Sequence, residues 1–239
     1  MNSLTTKPDT YYSACRKDML KFVNVPVHAL LEIGCGVGNF SSNYPDAEYW
    51  GVEPVAKQAE LAASKSLKVL NGCYENVSSQ IPDKYFDLIV CNDVIEHMTD
   101  PRAFLHDVSK KLNSTGVMIV SVPNLRNVVT LYNLLVKGEF QYTESGILDY
   151  THFHLFTKHS LIQLAKECGW HVEICEPISP LPFKPIKDFL LCVIKLLIPE
   201  IKSAQIGARL RPAFPSDNKD SNTNISIRER NVADFDTAP

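Results

Sequence analysis

The stretch that most constrains this chain is Leu30-Leu31-Glu32-Ile33-Gly34-Cys35-Gly36-Val37-Gly38-Asn39. An apolar run ends in three glycines at alternate positions, and a new apolar segment starts near Phe40. The pattern predicts a buried strand, a tight turn and the start of a helix. Glycine suits such a turn because it adopts positive φ without a Cβ clash and lets a ligand approach the backbone. The turn therefore builds a nucleotide-type site at the carboxyl end of a strand. A dinucleotide fingerprint would read G-x-G-x-x-G/A, with a small third residue packing helix on strand. Here the spacing is G-x-G-x-G and position 39 is Asn, which argues against an NAD-dependent oxidoreductase.

Strands and helices alternate after the turn. Ala29 to Ile33 is strand one, and Glu48 to Glu53 is strand two. Pro54 then opens a helix, as proline does near a first turn. Glu53 lies nineteen residues after Gly34, close to the ~20 at which an acidic residue accepts ribose hydroxyls. Leu67 to Asn71 is a short third strand. Tyr85 to Asn92 is nearly all apolar, as in a parallel strand buried on both faces. Asp100 caps a helix over 101–112, with Phe104, Leu105, Val108 and Leu112 on one face. Val117 to Val122 is strand five, and Asn127 to Val136 a helix. Thr157 caps a helix ending at Gly169, and Trp170 to Cys175 is strand six. Ala204 to Leu210 forms a weak last strand. The alternation predicts a doubly wound α/β sheet.

Three stretches now carry a resemblance. Glu32-Ile33-Gly34-Cys35-Gly36-Val37-Gly38 resembles the first motif of class I S-adenosylmethionine-dependent methyltransferases. Asn92-Asp93-Val94-Ile95-Glu96-His97 resembles their fourth motif. The run from Leu112 to Asn124 is similar to the motif after it. The resemblance covers roughly Tyr11 to Glu176. It implies a Rossmann-like sheet of seven strands in the order 3-2-1-4-5-7-6, strand seven antiparallel, and S-adenosylmethionine as cofactor. The implied cofactor residues are Glu32, Gly34, Gly36, Gly38, Glu53 and Asn92, with the backbone of Cys73 and Tyr74 along the adenine. Cys73 stands where the family often has an acidic residue. Tyr12 and Arg16 resemble an aromatic and an Arg that the family carries before strand one. A guanidinium there grips the cofactor carboxylate with two parallel bonds. The alternative for Arg16 is a solvated helix charge. Asp149-Tyr150-Thr151-His152 resembles a subfamily linked to glycan and surface-polysaccharide synthesis.

Methylation of an oxygen requires a general base. Imidazole, with an unperturbed pKa of ~6.5, accepts a proton near neutrality. Of seven histidines, His97 and the pair His152 and His154 fall at the carboxyl end of the sheet. His152 is the preferred base and His97 the runner-up, with Asp149 expected to orient the His152 imidazole. Asp93-x-x-Glu96-His97 resembles the Glu-x-x-Glu-His of ubiquinone-pathway O-methyltransferases, where such a cluster holds a divalent ion. The expectation is nonetheless a metal-free site.

The formal net charge of −3 offers no basic field for nucleic acid. A base-amino methyltransferase would resemble its relatives in a D/N-P-P-Y motif where this chain has Asn92-Asp93-Val94-Ile95. A non-catalytic binding module remains an alternative. Seven cysteines without a C-x-x-C pair and a polar stretch from Met1 to Thr10 point to a cytoplasmic protein. The expected partner is a small-molecule, sugar or lipid-linked glycan acceptor. Residues 1–214 form the expected domain, with 124–156 on the substrate side and 215–239 a disordered tail. The apolar stretch 186–198 is too short to span a bilayer, which needs ~20 residues. It reads as a core or lid helix, the alternative being a helix on a membrane surface.

Overall fold

A computed structural model describes residues 15–65, 67–180 and 199–213. The proposed helix at 186–198, the tail at 215–239 and Tyr12 lie outside them. Seven strands form one sheet: β1 (Ala29–Ile33), β2 (Glu48–Glu53), β3 (Lys68–Asn71), β4 (Phe86–Asn92), β5 (Leu112–Pro123), β6 (Trp170–Pro180) and β7 (Ser203–Pro212). Their order is β3-β2-β1-β4-β5-β7-β6, and β7 runs antiparallel to both its neighbours. This is the predicted topology.

The strands explain why the sheet is covered twice. Leu31 and Ile33 of β1 join one apolar cluster with Ile89 and Cys91 of β4, while Leu30, Leu88 and Val90 join the other. Alternate side chains leave opposite faces. The first face receives α2 (Tyr74–Val77), α3 (Pro101–Val108) and α5 (Lys158–Glu167), through Val77, Phe104, Leu105, Leu161 and Leu164. The second receives α1 (Ala56–Ala63) and a 3-10 turn at Lys17–Phe22, through Ala62, Met19 and Phe22. Caps set the helix starts. Asp100 accepts from the Arg102 and Ala103 backbones, and Thr157 forms a reciprocal box with Ser160.

Several expected boundaries move. The segment before β1 is that short 3-10 turn, within the described residues. The helix over 127–136 is α4 (Val128–Tyr132) followed by a π-turn at Asn133–Lys137. Strand six runs on through Pro177 to Pro180. It is an edge strand, so a missing N–H is tolerated where no neighbour needs it. Among the described residues no helix is long and apolar enough to cross a membrane, and six cysteines are free thiols.

Gly38, expected at the cofactor, is also closely packed. It sits at φ 73°, and a Cβ there would lie 3.3 Å from Ala62 Cβ and 2.5 Å from Leu67 Cδ1. Gly38→Ala should therefore destabilise the chain by about 1–2 kcal/mol, mainly through the left-handed backbone. A lower urea midpoint at unchanged slope would show it.

Candidate active site

A parallel α/β sheet binds ligands outside the carboxyl ends of its strands, where the strand order reverses. Here β1 lies between β2 and β4, and a cavity of about 760 Å³ opens at that point. Ligand pockets commonly measure ~300–1,000 Å³. Arg16, Glu32, Gly34, Gly36, Glu53, Cys73, Tyr74, Asn92, His97 and His152 all line it, whereas Gly38 does not.

The glycine turn forms the floor. Gly34 and Gly36 hold φ 70° and 53°. The Gly34 and Cys35 amides both donate to the Val52 carbonyl, at 2.8 and 3.1 Å, so the turn is tied to β2. A Cβ on Gly34 would lie 2.6 Å from Val94 Cγ2, in the loop after β4. Glu53 closes the β2 side. Its Oε2 accepts the Gly36 N–H at 2.8 Å and its Oε1 the Val55 N–H at 2.9 Å. Burial pushes the Glu53 carboxyl up, and those two amides pull it back. Each oxygen keeps a second acceptor site for a ligand hydroxyl. Tyr74 gives its hydroxyl to Asp107 at 2.9 Å and its ring edge to Phe104. Its side chain thus belongs to the core, which leaves its backbone for the cavity. Both amide atoms of Asn92 are buried without a hydrogen-bond partner among the described residues.

Arg16 reaches the cavity, but its fork is engaged. Nη1 donates to Asp93 Oδ2 at 2.5 Å, Nε and Nη2 to Asp18 at 3.2 and 3.4 Å, and Nη2 also to Gln205 at 3.3 Å. Guanidinium has five N–H groups, so one remains for a ligand. The paired grip expected on the cofactor carboxylate falls on Asp18 instead. Asp93 itself, at φ 56°, accepts from Ser121 Oγ at 3.2 Å and from Gln205 Nε2 at 2.6 Å. One carboxylate thus joins β5, β7 and the segment before β1. Asp18 and Gln205 were missed from sequence, where nothing marks them as partners of a motif so far away.

The acceptor end holds two histidines. The Nδ1 of His152 lies 2.9 Å from the Ile147 carbonyl, and the Nδ1 of His97 lies 2.9 Å from the Thr151 carbonyl. A carbonyl only accepts, so each Nδ1 carries the proton and each Nε2 is the acceptor. The rings meet edge to face with centroids 4.7 Å apart. Burial, then the neighbouring His152, lowers the His97 pKa. Glu96 is fully buried, its carboxyl pushed well up by burial and then by Asp93. Asp149 Oδ1 accepts the Thr151 amide and hydroxyl at 2.9 and 2.8 Å, and the Ile147 carbonyl holds His152 Nδ1. Ligand atoms of Glu96, His97 and His152 lie within 4.8 Å of one another, a spacing that a divalent ion could bridge. Asp93, the third member of the motif considered for an ion, is turned to Arg16 instead. His154 lines a separate depression with Thr99, Arg102 and Phe156.

Residues 10–173 match the methyltransferase domain family. The chain belongs to that family, the S-adenosylmethionine-dependent methyltransferases, and its cofactor is S-adenosylmethionine. It is similar to the ubiquinone biosynthesis O-methyltransferase of Rhodopseudomonas palustris, 33% identical over 118 residues, which are 46% of each chain. It is also similar to the mitochondrial ubiquinone biosynthesis O-methyltransferase of Schizosaccharomyces pombe, 31% identical over 170 residues, covering 66% of this chain and 60% of that one. The chain thus spans about half the length of the curated relatives it matches. Two solved methyltransferases share the fold. One from Thermotoga maritima has a TM-score of 0.57 at 21% identity, covering 84% of this chain and 88% of that one. One from Archaeoglobus fulgidus has a TM-score of 0.58 at 17% identity, covering 87% and 96%.

The cavity suits that cofactor. Glu53 would offer acceptors to the ribose diol, Glu32 lies buried in the lining, and Asn92 brings two buried polar atoms without partners among the described residues. Glu53→Ala should weaken cofactor binding by about 1.5–3 kcal/mol, the range for bonds to a charged group, as read by calorimetry. Glu32 supplies a pH test. Burial pushes its carboxyl up to about 8, against the hydrogen bond donated by Tyr49 at 2.5 Å. Its folded pKa exceeds its unfolded one, so the folded chain holds the extra proton in between. Stability contributed by neutral Glu32 is full below the unfolded value and lost as pH rises toward 8, at about 1.4 kcal/mol per unit. In urea titrations of the free protein at pH 5 and pH 8, Glu32→Gln should lose less stability across that window than wild type.

Proposed function

We propose that this chain methylates a hydroxyl of a small-molecule or sugar acceptor, with His152 as general base. The observation that carries this reading is the tautomer pattern. Two imidazoles at one end of the cofactor cavity give their Nδ1 protons to fixed backbone carbonyls and keep Nε2 as acceptor. When bound, the cofactor supplies an electrophilic sulfonium methyl. The protein's task is to hold the acceptor in line and take its proton. His152 Nε2 receives that proton, and the Ile147 carbonyl holds Nδ1–H and stabilises the resulting cation. Burial and the neighbouring His152 ring disfavour a cation on His97. The named activity of the ubiquinone O-methyltransferase relatives supports oxygen as the acceptor atom. The formal charge of −3 speaks against nucleic acid, and the membrane contact considered for 186–198 lies outside the described residues.

The test is S-adenosylhomocysteine release with a panel of phenols and sugars. His152→Ala should keep cofactor affinity and lose about 10²–10⁴-fold in turnover. Turnover should survive a chelator. A His152→Ala enzyme with normal turnover, beside an inactive His97→Ala that still binds cofactor, would move the base to His97. Cofactor binding without turnover on any acceptor would leave a binding module.

A further inference from the structure

Large apolar side chains are exposed mainly in one segment. Of the eleven found exposed among the described residues, nine fall between Val129 and Phe153. Concentrations of this kind mark interaction sites. Within the segment, three rings form a cluster. Tyr142 and Tyr150 stack with centroids 6.3 Å apart and planes 23° from parallel, and Phe140 stands edge-on to Tyr142 at 6.0 Å. Tyr150 is 65% exposed and Tyr142 41%.

The loop that holds them is built rather than loose. The Thr143 amide donates to Leu148 O at 2.7 Å, and the Tyr150 amide to Thr143 O at 3.0 Å. The Thr143 hydroxyl donates to Ser145 O at 2.7 Å. The Phe153 and His154 amides tie the far end to the Glu96 carbonyl, at 2.8 and 3.1 Å. The loop has two faces. Gly146, Ile147, Asp149 and His152 line the cavity, while the tyrosines face solvent. Tyr150 is two residues from the proposed base, so the rings and the cavity are carried by the same short loop.

Charge selects the occupant. Between Gly138 and Thr151 the charged residues are Glu139, Glu144 and Asp149, with no Lys or Arg. The adjoining Lys137 pairs with Glu139 at 3.7 Å. Anionic bilayers and nucleic-acid strands both require cations beside the aromatic groups. An uncharged polyhydroxylated ring does not: its C–H face meets the negative face of an aromatic ring, and its hydroxyls meet Tyr O–H, Glu139 and Gln141. Tyrosine supplies such contact at low entropic cost. The geometry points to Phe140, Tyr142 and Tyr150 as a subsite for the non-reacting sugar rings of a neutral oligosaccharide acceptor. This rests on the methyltransferase reading of the same cavity and adds that the acceptor extends beyond it.

The experiment needs no turnover. The full chain is applied to an array of immobilised neutral and acidic oligosaccharides and, separately, to phosphatidylglycerol–phosphatidylcholine vesicles. Cofactor binding is measured by calorimetry for every variant. Wild type should retain neutral oligosaccharides. Tyr142→Ala/Tyr150→Ala should bind them about tenfold more weakly, with cofactor affinity unchanged. Tyr150→Phe should keep most of the binding. No retention by wild type, or equal retention by the double variant, overturns the subsite. Vesicle capture that the double variant loses would make this face, with Leu134 to Val136 beside it, a lipid-contacting surface and also overturn it. Failure of S-adenosylmethionine to bind would strike the methyltransferase reading instead, and calorimetry separates the two.

Discussion

The close approach of Gly34 to Val94 sets the distance on which the rest of the site depends. Any side chain at position 34 would lie within 2.6 Å of Val94 Cγ2, so only a bare Cα lets the β1 turn sit against the loop leaving β4. That loop also carries Asp93, Glu96 and His97. The cofactor floor and the acceptor end are therefore two sides of one contact, and neither can shift without the other. Asp93 adds a second constraint. A non-glycine residue at φ 56° costs on the order of 1 kcal/mol, and its bonds to Arg16, Ser121 and Gln205 hold it there.

Much of this was legible in the sequence because it rests on local pattern. A strand buried on both faces must be nearly all apolar, so β1 and β4 announced themselves. The glycines and Glu53 fixed the crevice through offsets that the βαβ unit makes nearly constant. What escaped was of two kinds. The Arg16 network joins residues 77 and 189 positions apart, and no local pattern encodes such a pairing. The Ile147 carbonyl that holds His152 Nδ1 is a backbone atom with no side-chain signature. Asp149, the carboxylate that drew attention, closes an Asx turn and shapes the loop. The extension of β6 through Pro177 was hidden because proline argues against strand except at an edge, and edge position is a tertiary fact.

Glu32, Glu53 and Glu96 are all buried at the cavity, and burial raises the carboxyl of each. A cation entering such a pocket favours the ionised form of each carboxyl. That suits a sulfonium ligand, which gains attraction from groups whose ionisation its own charge favours.

The placement of β7 has a consequence for how the chain matures. β7 is the last strand in sequence among the described residues, yet it lies between β5 and β6 in the sheet. As the polypeptide leaves the ribosome, β5 must wait with an open edge until residues 203–212 emerge. An unpaired edge of that length invites pairing with other chains. Gln205 arrives on that strand, so the clasp over Asp93 and Arg16 forms only when the edge is sealed. Closure of that clasp and protection of the β5 edge are thus acquired in a single late event of biosynthesis.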